Sequence, residues 1–152
     1  MLARSIAVAS IVVAAGLLGG CGGSDEDKQA TAYVAAVNAA QTRFSTSIAR
    51  IGADTSGSEV TAATVGRWTG AVDRMRRDLR VIEAPDRVDR LHLRLVDEVT
   101  DFRSALTKAQ RALRAGDRRT ILAERARLGI SARRATRRIE TTLKSIDRTL
   151  RS

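Results

Sequence analysis

Apolar residues follow two different rhythms along this chain. From Ile6 to Leu18 they form an almost unbroken run, and from Val34 onward they recur at alternating steps of three and four. An unbroken run asks for apolar surroundings on all sides, whereas the three–four rhythm places one stripe on one side of a helix. Four such stripes follow one another. Val34, Val37, Gln41, Phe44, Ile48 and Ile51 predict helix A from about Asp25 to Ile51, its face broadened by Ala30, Ala36 and Ala40. Gly52 is placed as its C-cap, and Asp54-Thr55-Ser56-Gly57-Ser58 reads as a turn. Thr61, Val65, Trp68, Val72, Met75, Leu79 and Ile82 predict helix B, opening at Ser56 or Ser58, with Ser56 and Glu59 spaced as a capping box. Gly66 and Gly70 bracket Trp68 and are read as room for its indole, with Arg74–Asp78 and Asp73–Arg77 as i,i+4 pairs on the polar face.

Glu83-Ala84-Pro85-Asp86 marks the next boundary, because proline fits the first turn of a helix and the residue before it resists helical backbone angles. Helix C then runs from Pro85 to about Ala115 on a stripe of Val88, Leu91/His92, Leu95, Val99, Phe102, Leu106, Ala109 and Leu113. Gly116 ends it and Asp117 caps helix D. Helix D extends towards Leu150 with Ile121, Leu122, Leu128, Ala132, Ala135, Ile139, Leu143, Ile146 and Leu150 on one face. Gly129 within it costs about 1 kcal/mol against alanine, which predicts a bend or fray.

Four amphipathic segments with short connections bury their stripes most economically as an all-α, antiparallel, up-down-up-down four-helix bundle. Helices of this length make it elongated, about 40–50 Å at 1.5 Å per residue. A three-helix bundle with one loosely attached helix is the alternative. The expected organisation is residues 1–20 as a signal peptide, 21–28 as a flexible tether and 29–152 as the bundle domain.

The opening run sets the compartment. Arg4 precedes about fifteen apolar residues, short of the roughly 18–20 that span a bilayer, and glycines follow. Leu18-Gly19-Gly20-Cys21 resembles the lipobox of bacterial lipoproteins, with Leu at −3 and Gly at −1 before the cysteine. Gly19 departs slightly from the usual residue at −2. The resemblance implies cleavage before Cys21, attachment of diacylglycerol to its sulfur, and acylation such as palmitoylation at the new terminus. Cys21 is the only cysteine, so no internal disulfide competes for it. Two acyl chains hold stably, each buried methylene contributing about 0.8 kcal/mol. Asp25, Glu26 and Asp27 sit where acids favour a helix N-terminus.

Leu79-x-x-Ile82-x-Ala84-Pro85, Leu91-His92-x-x-Leu95-Val96 and Ala112-Leu113-x-x-Gly116-Asp117 form a further set of motifs. On these residues the chain from Tyr33 onward resembles the small helical lipoproteins of actinobacteria and other Gram-positive lineages. That resemblance brings no catalytic signature with it.

Composition agrees with helices. The chain has one proline and few aromatics (Tyr33, Phe44, Trp68 and Phe102), so its core must be aliphatic and alanine-rich. The net charge of +10 is concentrated at the C-terminal end: residues 111–152 hold thirteen Lys/Arg against four acids, which is +9. Arg133-Arg134 and Arg137-Arg138 stack one turn apart into a positive patch that Arg127 and Arg148 extend. A cytosolic protein with this patch would suggest nucleic acid, but an export signal and the lack of interleaved aromatics argue against that partner. The remaining candidate partners are anionic lipid headgroups, wall polymer or an acidic protein, and a merely solubilising face is the competing reading.

Catalytic chemistry has little to work with. His92 is the only histidine, and with Asp89 it supplies two metal-ligand candidates where zinc needs three or four. A packing role for His92 is the simpler expectation. Asp97, Glu98 and Asp101 are read as a solvated, salt-bridged face with Arg94 and Arg103. Neither a nucleophile–histidine–acid set nor a glycine-rich phosphate loop is visible. The sequence therefore leads to a lipid-anchored, extracytoplasmic, non-enzymatic envelope protein with no catalytic, cofactor or metal residues, anchored to the cell membrane at Cys21. A binding module built on basic helix D is the alternative.

Overall fold

The computed structural model describes residues 25–55 and 59–152. The lipobox and Cys21 lie outside the described residues, as do Ser56 and Ser58. Four helices follow in order: α1 (Asp25–Asp54), α2 (Ala62–Arg80), α3 (Asp89–Ala115) and α4 (Arg118–Arg151), with a short 3-10 turn at Asp86–Val88 leading into α3. No strand occurs among the described residues. The chain is an all-α helical bundle, and α1 begins at Asp25, so the acidic end of the expected tether is already helical.

Side chains that bridge neighbouring helices fix their directions. Arg43 and Asp54 on α1 meet Asp78 and Arg67 on α2, each at 3.0 Å. Positions therefore rise along α1 as they fall along α2. Leu79 and Asp73 on α2 meet His92 and Arg103 on α3 at 3.1 and 2.9 Å, and Glu98 and Asp101 on α3 meet Thr142 and Arg138 on α4 at 3.0 and 3.5 Å. Each consecutive pair is antiparallel, and the helices run up, down, up, down. The N-terminus of α1 and the C-terminus of α4 consequently lie at the same end as the 3-10 turn.

The core is aliphatic. Val37, Val65, Val72, Leu79, Val88, Leu95, Val99, Leu106, Leu143 and Ile146 are almost fully withdrawn from solvent, and Tyr33 is the one aromatic buried with them. A satellite cluster of Ile48, Ile51 and Ala71, flanked by Phe44 and Trp68, holds the far end of α1 on α2. α1 rests chiefly on α2, whereas α3 packs along both α2 and α4.

Several local expectations change. Gly52 does not cap α1; the helix runs on to Asp54, and the Thr55 hydroxyl donates to the Ile51 carbonyl at 2.7 Å. A hydroxyl thus satisfies an end carbonyl that the sequence assigned to a glycine turn. α2 opens at Thr61, whose hydroxyl accepts from Thr64 N at 3.2 Å. Glu59 precedes the helix and pairs with Arg125 of α4 instead of closing a capping box. Gly66 gives room to a neighbouring helix and not to the indole: a Cβ there would stand 2.5 Å from Gln110 Nε2 of α3. Asp78 and Asp73 turn to Arg43 and Arg103 on adjacent helices, Asp73 also meeting Arg76, and not to the same-helix arginines expected from spacing.

Asp117 caps α4 as expected, accepting from Thr120 N at 2.9 Å, and the helix continues unbroken through Gly129. Leu122, expected on the core face, is 57% exposed. Ile121 and Leu122 are neighbours about 100° apart on the helix, so both cannot face the core, and Ile121 is the half-buried one.

The two glycines of α2 give opposite tests. Gly70→Ala meets only Arg74 Nη1 at 3.8 Å, so it should raise the unfolding free energy by up to about 1 kcal/mol. Gly66→Leu should lower it, because a branched side chain collides with the α2–α3 contact at Gln110. Urea denaturation of both variants measures the difference.

Candidate functional site

Two of the polar centres inside the bundle stand on α3. His92 is 5% exposed, between Tyr33 of α1 and the end of α2. Its Nε2 lies 3.1 Å from the Leu79 carbonyl oxygen and its Nδ1 lies 3.2 Å from the Tyr33 hydroxyl. A carbonyl only accepts, so Nε2 carries the proton, and Tyr33 donates to Nδ1. The rings meet edge to face with centroids 5.6 Å apart. Burial holds His92 below the usual histidine range, opposed by the Leu79 carbonyl and by Asp89. Burial also pushes the Tyr33 phenol up. With both ring nitrogens engaged, His92 ties α1, α2 and α3 together as a neutral packing group.

Glu98 corrects the expected solvated acidic face. Asp97 and Asp101 are exposed, but Glu98 is 2% exposed and faces α4. One carboxylate oxygen accepts from the Thr142 hydroxyl at 3.0 Å; the other meets Arg94 at 3.2 Å and Arg138 at 3.7 Å. Those arginines reach in from the rim, with side chains 62% and 48% exposed. Helical spacing marks the position, since Glu98 follows Leu95 by three residues and precedes Phe102 by four, although acids are seldom buried. Among the described residues no group of three or more His, Cys, Asp and Glu side chains converges as a metal site would require.

The six arginines proposed as a patch separate by geometry. Arg138 swings to Glu98 and to Asp101 at 3.5 Å, and Arg127 pairs with buried Glu124 on its own helix. Arg133, Arg134, Arg137 and Arg148 are exposed, and none of them has a carboxylate within ion-pair distance among the described residues. The patch is therefore an outward stripe on α4 with two members drawn sideways into structural pairs. Its C-terminal end, with Lys144, Asp147, Arg148, Arg151 and Ser152, borders an open surface depression. Leu122 and Ile130, 57% and 52% exposed, share the outward side, Leu122 in place of its expected position on the core face.

Two outcomes test the buried centres. Unfolded His92 takes up a proton near pH 6.5 while the folded residue resists it, so stability should fall as pH drops through that range. The urea midpoint should be lower at pH 5.5 than at pH 7.5, and His92→Gln should flatten that difference. At Glu98, Arg94→Ala and Arg138→Ala should each cost less than about 1 kcal/mol, since each leaves the other guanidinium in place. The double variant strands a buried carboxylate and should cost more than the sum, a coupling that a double-mutant cycle measures.

Compared with protein-family models, with curated proteins and with solved structures, the chain matches none.

Proposed function

We propose that this chain is a lipid-anchored extracytoplasmic protein of the bacterial envelope, serving as a non-enzymatic structural or interaction module. The observation that carries the proposal is Leu18-Gly19-Gly20-Cys21 at the end of the apolar run, with Cys21 the sole cysteine. Among the described residues no helix is long and apolar enough to cross a membrane; the attachment proposed is through acyl chains at Cys21. α1 starts at Asp25, close enough to Cys21 to keep the bundle beside the surface to which it is tethered.

A second reading adds a binding role for α4, favoured by the exposed Arg133, Arg134, Arg137 and Arg148 without carboxylate partners among the described residues. It is compatible with the first, since the polyanions of an envelope include lipid headgroups and wall polymers.

Membrane fractionation and intact mass of the protein from a bacterial host test the anchor. The expected protein starts at Cys21, carries the added mass of its acyl chains and sediments with membranes, whereas Cys21→Ala retains its leader and loses the lipid mass. A protein of unmodified mass, or a Cys21→Ala protein free of its leader and equally membrane-bound, contradicts the proposal.

A further inference from the structure

An exposed stripe that is only basic suits any polyanion, but the outer side of α4 is not only basic. Arg137 lies about 180° around the helix from buried Ile146. Ile130, Arg133 and Arg148 fall within about 40° of it, and Leu122 and Arg134 within about 60° on either side. Leu122 and Ile130 are two of the four exposed large apolar side chains among the described residues. With exposed Ala126 between them, they form a short apolar strip spaced one helical turn apart, and the arginines continue along the same side. The stripe from Leu122 to Arg148 runs along about 40 Å of helix at 1.5 Å per residue.

A convex helix with arginines beside a few apolar side chains matches a flat surface that is charged outside and oily just beneath. A soluble polymer offers the charge but gives Leu122 and Ile130 nothing to enter. We propose that α4 lies along the anionic phospholipid surface, with Leu122 and Ile130 entering the headgroup region and Arg133, Arg134, Arg137 and Arg148 meeting lipid phosphates. This deepens the envelope reading and rests on its placement of the bundle at a membrane. The pairing of Arg127 and Arg138 with Glu124, Glu98 and Asp101 leaves those two arginines outside the contact. The geometry also sets an orientation: the bundle lies on its α4 side.

Vesicle binding by the full chain carrying Cys21→Ala tests this separately from lipidation. Vesicles of phosphatidylcholine alone and with one third phosphatidylglycerol provide the comparison, so any contribution of residues 1–24 to membrane affinity is present in every sample. Phosphatidylglycerol should strengthen binding at low salt, and Arg133→Gln with Arg137→Gln should remove about 20- to 30-fold of it, at roughly fivefold per basic side chain. Leu122→Ser with Ile130→Ser should weaken binding to the same vesicles without changing charge. Because Cys21 is the sole cysteine, Ile130→Cys in the Cys21→Ala background takes one environment-sensitive dye. Its emission should shift to the blue with phosphatidylglycerol vesicles, and a dye at Leu93→Cys on α3 should not respond. Circular dichroism checks that each variant remains helical.

Equal binding to both vesicle types overturns the proposal. So does a serine pair that binds as tightly as its parent while soluble poly(glycerol phosphate) competes fully, which would make the stripe a polymer site. Loss of the anchor in the mass measurement with these results intact would refute lipidation alone.

Discussion

An aliphatic core accepts a polar side chain only if its protons and lone pairs find partners there, and in this bundle that condition falls on α3. His92 needs both the Leu79 carbonyl and the Tyr33 hydroxyl; Glu98 needs Thr142 with Arg94 and Arg138 at the rim. Aliphatic stripes alone leave neighbouring helices free to slide by a turn at modest cost, since one valine fits much like another. A one-turn slip here would bury an unpaired imidazole and an unpaired carboxylate together. The two centres therefore act as register pins. They lie about 120° apart around α3, one towards α1 and α2 and the other towards α4, which makes that helix the reference for the other three.

The same logic explains what could be read from the sequence. The three–four rhythm located all four helices, and local end signals worked where the chain itself supplies both donor and acceptor, as with Asp117 and Thr120. Signals that depend on another helix were not legible. Glu59 fits a capping box by spacing but is taken by Arg125, and Gly66 looks like space for Trp68 until Gln110 arrives from α3. Glu98 looks like surface charge until Thr142 and the core enclose it. Periodicity describes one helix at a time, whereas these assignments belong to pairs of helices.

The arginines of α4 show how a charge count becomes a surface. As a sequence they are one dense cluster; on the helix they sort by angle into structural and outward groups. Arg127 and Arg138 are near enough to the flank to reach buried acids. Arg133 and Arg137 point away from the core, where Leu122 and Ile130 are also found. A hydrophobic residue on that side departs from simple amphipathic patterning, and such departures are where function is sought. The candidate surface thus comes from angular position and exposure taken together, neither of which a charge total contains.

The pairing of each helix chiefly with its sequence neighbours has a kinetic consequence. Closing a hairpin between adjacent helices joins residues separated by short stretches, so the entropy lost in loop closure is small, and proteins dominated by such contacts fold in microseconds to milliseconds. As a chain emerges from its N-terminal end, α1 and α2 can pair before α3 exists. His92 stands 59 residues after Tyr33 but only 13 after Leu79, so of its two bonds the one that joins α1 to α3 has the longer loop to close.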